Sequence, residues 1–310
     1  MASRPGGPDA WTTRRLLGWM AERFGECGID SPRLCAEMLV AHVLGCDRLK
    51  LYTDPDRPAS PLERETLRGL VARALEHEPI QYLVGEAWFF GLPFEVDRRV
   101  LIPRPATQTM VEHVLQHQRH DGPGTHDDTD RGAGLLIADV CTGSGCIAVA
   151  LAKNLPGARI AASDLSSDAL AVASTNCTRH GVADRIDLLE GDLLAPFLEY
   201  PATRARGSLQ YLLANPPYIP DDEWAAVEPN VKNHEPEVAL RGGPDGLDLV
   251  RPVIAAAPPL LSPGGLLLVE VAASRAAEAA AIASAQAGLE AVQVLQDLDG
   301  LDRVILARRS

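Results

Sequence analysis

From Leu135 onward, short apolar runs alternate with longer segments of helical spacing, and this rhythm constrains the fold more than any other feature of the chain. Leu135–Val140, Arg159–Ser163, Ile186–Leu189, Leu209–Ala214 and Leu266–Val271 read as buried strands. Gly145–Leu155, Ser167–His180, Leu247–Ala257 and Ser274–Ala287 read as helices between or after them. A parallel neighbour needs a crossover, and a helix supplies it, so the alternation predicts a parallel sheet covered on both faces. Val292–Gln296 and Arg303–Ala307 follow one another with no helix between them and predict a closing antiparallel pair. The expected class is α/β, a doubly wound sheet of seven strands with the last one antiparallel.

Sheets of this kind bind ligands outside the carboxyl ends of their strands. The polar residues at those ends are therefore the first candidates. Strand one runs into Asp139-Val140-Cys141-Thr142-Gly143-Ser144-Gly145, where the glycines permit positive φ and the next helix offers free N–H groups. Gly143-x-Gly145-x-x-Ala148 with Asp164 downstream also matches the dinucleotide fingerprint, so a nicotinamide oxidoreductase competes at this point. Asp139 weighs against it. An acid beside a pyrophosphate is mismatched, whereas it suits a cation such as the sulfonium and ammonium of S-adenosylmethionine. Asp164 follows strand two and can accept from ribose hydroxyls, and Asp192-Leu193 follow strand three on the adenine side.

Strand four ends in Asn215-Pro216-Pro217-Tyr218. Neither proline can donate a ladder hydrogen bond, and the residue before each is pushed to extended conformations, so the strand stops on a stiff rim. That rim carries one amide, unopposed carbonyls and one aromatic ring, a set that can grip a planar amide or amino group. The plain alternative is a Pro-rich turn.

Upstream, Trp11 to Glu78 has helical spacing throughout, with Ser31-Pro32 and Ser60-Pro61 placed to open helices. Gln81–Gly85 and Trp88–Val96 read as the two arms of a β-hairpin, and Arg104 is clamped between Pro103 and Pro105. A helix is expected from Thr107 to Gln118 and a polar loop from Gln118 to Gly134. The expected organisation is a helical bundle at 1–78, a hairpin linker at 79–105 and a catalytic domain at 106–310. His113, His117, His120 and His126 lie near several Asp residues without a ligand motif, so no metal is expected.

A net charge of −13 argues against a broad grip on nucleic-acid phosphates. No apolar run approaches the roughly 18 residues of a membrane span, and Met1–Ala10 lacks the apolar centre of a signal peptide. The six cysteines form no C-x-x-C pair and suit reduced thiols, so a cytoplasmic location is expected.

The motifs together resemble the class I S-adenosylmethionine-dependent methyltransferases with their Rossmann-like sheet. Within them the chain resembles the N5-glutamine methyltransferases of peptide chain release factors. Ser31-Pro32-Arg33-Leu34, Pro79–Gly85, Val100–Pro105, Thr142–Gly145, Asn215–Ile219 and Glu235–Leu247 carry the resemblance. It implies that S-adenosylmethionine is held by Asp139, Cys141, Thr142, Gly143, Ser144, Gly145, Asp164, Asp192, Leu193 and Asn215. It also implies that Asn215 and Pro216 accept the N–H groups of a glutamine of the GGQ type, while Tyr218 packs on the amide and Pro217 and Arg104 complete the substrate site. The implied partner is a release factor, bound through the helical bundle by a monomeric enzyme without a membrane or nucleic-acid partner. The alternatives are a ribosomal-protein glutamine methyltransferase, a DNA adenine-N6 methyltransferase, the oxidoreductase and a non-enzymatic binding module. Ala106 and Gln108 stand where the family usually has acids, Cys141 where it commonly has Gly and Arg275 where it often has Gln.

Overall fold

The computed structural model describes residues 10–120, 132–203 and 207–310. Most of the Gly/Pro-rich start and of the expected 118–134 loop, His126 included, lies outside these residues. The chain forms two compact units, one of residues up to Gly85 with Glu228–His234, the other of Glu86–Val227 with Glu235–Ser310.

The first unit is helical, with helices at Thr13–Glu26, Pro32–Leu44, Lys50–Thr53, Pro61–Leu75 and Ile80–Val84 and a short one at Pro229–Lys232. Leu16, Leu17, Met20 and Phe24 recur at helical spacing, which places them on one face. That face is buried in one core with Leu39, Val40, Leu67 and Val71. The Ser60 hydroxyl accepts from the Glu63 N–H while the Glu63 carboxylate accepts from the Ser60 N–H, a reciprocal cap that fixes where the Pro61–Leu75 helix begins. Ser31 differs from expectation. Its backbone is left-handed (φ 49°) and its side chain makes no cap bond, so only Pro32, pre-set for the first helical turn, marks that start.

The expected first hairpin arm is a helix. In Ile80–Val84 the N–H groups of Tyr82 and Leu83 turn back to the Pro79 carbonyl, and Gly85 closes the turn at φ 74°. A short apolar run bounded by Pro and Gly has no periodicity that separates the two states. The hairpin lies one step later, β1 Glu86–Phe89 pairing antiparallel with β2 Leu92–Glu95.

The second unit is built on β3 Leu136–Val140, β4 Arg159–Asp164, β5 Ile186–Glu190, β6 Leu209–Ala214, β7 Leu261–Glu270, β8 Leu289–Gln296 and β9 Asp302–Arg309. Their order is β5-β4-β3-β6-β7-β9-β8. The neighbours from β5 through β7 are parallel, and β9 runs antiparallel to both β7 and β8, as the alternation predicts. Ala138, Leu212, Leu267 and Ile305 on these strands are fully buried with Val253 and Ala279 of the flanking helices. β7 begins five residues earlier than its apolar run suggests, at Leu261, which pairs with Leu209 before an irregularity carries the register to Tyr211 opposite Leu266. Chain order reverses between β3 and β6, so a crevice opens at their carboxyl ends.

Candidate active site

The floor of that crevice is the turn after β3. Asp139 is fully buried beneath it, and its Oδ2 accepts from the Thr142 hydroxyl at 2.6 Å and from the Ala148 N–H at 3.2 Å. Burial pushes its carboxyl up to about 7, and its Oδ1 has no hydrogen-bond partner among the described residues. Asp164 clasps the same turn from β4, accepting the Gly143 N–H on Oδ2 at 2.8 Å and the Ser166 N–H on Oδ1 at 2.9 Å. Gly145 is required as Gly, because its φ is +78° and a Cβ there would stand 3.2 Å from that of Ala173. Cys141 adopts φ +59° without being Gly.

Fully buried Asn176 binds this loop to the hairpin. Its amide nitrogen donates to the carbonyls of Ser144 (2.9 Å) and Glu95 (3.0 Å), and its oxygen accepts from the Glu95 N–H at 2.7 Å. The Ser163 hydroxyl donates to the Leu193 carbonyl at 3.2 Å and fixes the turn after β5.

The opposite wall is the end of β6. Asn215 donates its backbone N–H to the Val140 carbonyl at 3.3 Å and its side-chain amide nitrogen to the Thr107 hydroxyl at 3.3 Å. The Tyr218 hydroxyl donates at 2.9 Å to Oε1 of Glu270, the last residue of β7, whose Oε2 is buried with no hydrogen-bond partner among the described residues. Burial raises the pKa of Glu270, and burial followed by the neighbouring Glu270 raises that of Tyr218. Buried Glu235 holds the Ile-Pro-Arg-Pro segment, accepting from the Ile102 N–H at 3.0 Å and pairing with Arg104. Behind the motif, a Cβ on Gly242 would stand 2.7 Å from Tyr218 Cα, so glycine lets the two strands of backbone touch.

These walls enclose a cleft of about 900 Å³. Arg104, Cys141, Thr142, Gly143, Ser144, Asp164, Asp192, Leu193, Asn215 and Pro217 line it, with Thr107 between them. Asp139, Gly145, Pro216 and Tyr218 are not among the lining residues. Asp139 and Tyr218 make their hydrogen bonds inward, to the loop and to Glu270. The floor is acidic: Asp164, Asp139 and Asp192 all lie near enough to the Cys141 thiol to raise its pKa after burial has done so. A pyrophosphate would face Asp164 and Asp192, which line the cleft, whereas a cationic ligand is favoured there. A second cavity of about 820 Å³, lined by His113, His117, Tyr211 and Arg308 among others, holds none of the residues expected to bind cofactor or substrate.

Two family models match the chain, the PrmC N-terminal domain over residues 15–85 and a methyltransferase domain over residues 137–232. The release factor glutamine methyltransferase of Chlorobaculum tepidum is 43% identical, covering 94% of this chain and 96% of its own. That of Geobacter sulfurreducens is 39% identical, covering 97% and 98%. The chain belongs to the release factor glutamine methyltransferase family. Among solved structures, the catalytic domain of hMettl16 in complex with the MAT2A 3′UTR hairpin 6 superposes with a TM-score of 0.50 at 16% identity, over 71% of this methyltransferase and 76% of that chain. It shows the fold alone. The family's methyl donor is S-adenosylmethionine.

Four residues of this methyltransferase site carry no role in the sequence reading: Thr107, Asn176, Glu235 and Glu270. Glu270 leaves one trace, a lone acid inside the apolar run Leu266–Val271. Asn176 leaves none, since a polar residue in a helix is ordinarily solvated. Among the described residues no group of His, Cys, Asp and Glu is arranged to hold a metal, and no helix is long and apolar enough to cross a membrane.

Proposed function

We propose that this chain transfers a methyl group from S-adenosylmethionine to the side-chain amide nitrogen of a glutamine in a peptide chain release factor. When bound, S-adenosylmethionine supplies the electrophilic methyl carbon on its sulfonium. The residues fit it: Asp164 and Asp192 in the lining suit its positive charges, and the loop from Cys141 to Ser144 with Leu193 offers backbone groups and an apolar edge.

An amide nitrogen is a weak nucleophile because its lone pair is delocalised. Asn215 Oδ1 and the Pro216 carbonyl accept the two N–H groups of the substrate amide, hold its nitrogen in line and stabilise the positive charge that develops on it. Pro217 and Arg104 shape the entrance, and Tyr218 backs the amide plane. No nucleophilic side chain is needed, because the acceptor attacks directly. The helical bundle is the surface that selects the protein carrying the glutamine. The reaction takes place in the cytoplasm, where release factors act.

One observation carries this reading: Asn215 and the β3 turn, separated widely in sequence, open onto a single cleft. The test is Asn215→Ala. The variant should lose roughly 10²–10³-fold in kcat, the scale of removing one preorganised charge-stabilising group, with S-adenosylhomocysteine affinity kept. A parent-like rate sinks the assignment.

A further inference from the structure

The Pro216 carbonyl, the second acceptor of the substrate amide, stands in a segment with little to hold it. Pro216 and Pro217 have no N–H to donate. Before them the Asn215 N–H donates to the Val140 carbonyl, and beyond them the Ile219 N–H donates to the Leu240 carbonyl at 2.9 Å. Between these two points, the bond that ties the segment back to the sheet is that of the Tyr218 hydroxyl to Glu270 Oε1, at 2.9 Å. The direction of the Pro216 carbonyl is therefore set by what holds the two ends of its turn.

Glu270 is an unexpected residue for its place. Ala214 pairs with Val269 on the neighbouring parallel strand, so Glu270 stands one residue past that pair, as Asn215 does. It is fully buried after the apolar run Leu266–Val269, and its Oε2 has no hydrogen-bond partner among the described residues. Burying an acid there costs free energy that an apolar side chain of similar volume avoids. What the acid supplies is an acceptor for the Tyr218 hydroxyl. The backbone of Tyr218 is packed as closely, since a Cβ on Gly242 would stand 2.7 Å from its Cα and one on Gly246 2.4 Å from its carbonyl oxygen. Tyr218 is thus gripped at both ends, by glycine backbone at one and by Glu270 at the other.

We propose that Glu270 is the positioning residue of the acceptor turn: through the Tyr218 hydroxyl it anchors the far end of the turn to β7 and so fixes where the Pro216 carbonyl meets the substrate amide. The inference rests on the acceptor roles given above to Asn215 and Pro216. Tyr218 acts from behind the cleft, in keeping with its place outside the lining. Without the anchor the ring is free to swing, and the carbonyl that takes the second substrate N–H shifts with it. The turn after β3, clasped by Asp164 and Asn176, is not touched by this change. The loss therefore falls on turnover and not on the affinity of the donor site.

The test uses the full chain with a release factor as substrate and follows kcat, melting temperature and S-adenosylhomocysteine affinity by calorimetry. Tyr218→Phe keeps the ring and removes the hydroxyl, Glu270→Leu removes the acceptor, and Glu270→Gln keeps an oxygen that can accept. Tyr218→Phe and Glu270→Leu should each lower kcat by roughly 10–10²-fold, the scale of a misplaced reacting group, with ligand affinity unchanged. Glu270→Gln should keep most of the rate. The double variant Tyr218→Phe/Glu270→Leu separates positioning from mere stability. With both polar partners gone no buried group is left unpaired, so its melting temperature should return towards that of the parent. Its kcat should stay as low as in either single variant and no lower, because the two residues act through one bond. Parent-like kcat in Tyr218→Phe overturns the proposal, which keeps it testable even where Glu270→Leu fails to fold. So do a kcat that recovers together with the melting temperature in the double variant, and a Glu270→Gln as slow as Glu270→Leu. A parent-like rate in Asn215→Ala overturns the acceptor reading itself, so the two failures are distinct.

Discussion

Gly246 tests how tightly the backbone behind the acceptor motif must fit. Its φ is +74°, and a Cβ there would stand 2.4 Å from the Tyr218 carbonyl oxygen and 2.9 Å from Pro220 Cγ. Ordinary contact begins at 3.4 Å, so Gly246→Ala forces the two segments apart by about 1 Å. The left-handed conformation of an Ala costs about 1–2 kcal/mol in addition. Gly264 separates the two effects: its φ is +78°, yet nothing lies within 4 Å of a Cβ placed there. Gly264→Ala therefore bears the backbone cost alone. Both variants should melt earlier, Gly246→Ala more so. A displacement of about 1 Å at the acceptor should also cost roughly 10²-fold in kcat in Gly246→Ala, while Gly264→Ala keeps the parent rate. The assay is methyl transfer to a release factor at saturating donor, with melting temperatures measured alongside. Equal kcat in the two variants would refute the reasoning, because close packing at Tyr218 would then have no bearing on the acceptor.

Other expectations follow from the same contacts. Asn176→Ala removes three hydrogen bonds that tie the Ser144 carbonyl to Glu95 and leaves buried groups unpaired, at about 1–3 kcal/mol each; S-adenosylhomocysteine affinity measured by calorimetry should fall while kcat at saturation changes little. Glu63 is held down to about 2, first by the hydrogen bond from Arg57 and with help from Ser60. A depressed carboxyl stabilises the fold above its unfolded pKa and loses that contribution as pH falls from about 4.5 towards 2. Glu63→Gln should thus be less stable than the parent by about 1–2 kcal/mol at pH 6, after allowance for solvent screening, and the gap should close on acidification in thermal melts. Asn215→Ala should lower turnover without loss of ligand affinity, as argued above.

The sheet was legible because its evidence is repetitive. Each strand is an apolar run, each crossover a helical segment, and β6 ends where Pro216 removes the next donor. The site was legible where chemistry shows in residue type: Gly143, Ser144, Asp164, Asp192 and Asn215 do line one cleft. Burial inverted two impressions. Asp139 reads as a charge facing the ligand, yet it lies beneath the turn and satisfies Thr142 and Ala148. Tyr218 reads as a ring packing on the substrate amide, yet it is not in the cleft lining and its hydroxyl is spent on Glu270. The residues missed altogether, Thr107, Asn176, Glu235 and Glu270, act through tertiary hydrogen bonds to partners far away in sequence, which no local pattern encodes. Ile80–Val84 was misread for the opposite reason: a run this short lacks the periodicity that distinguishes helix from strand.

The central claim is the identity of the methylated atom. Incubation with methyl-labelled S-adenosylmethionine and, in parallel, purified release factor, large-subunit ribosomal protein and DNA, followed by mapping of the label, tests it directly. The account predicts label on a glutamine side-chain amide of the release factor, abolished in Asn215→Ala. Label on DNA, or on the ribosomal protein with the release factor left unmodified, would contradict it.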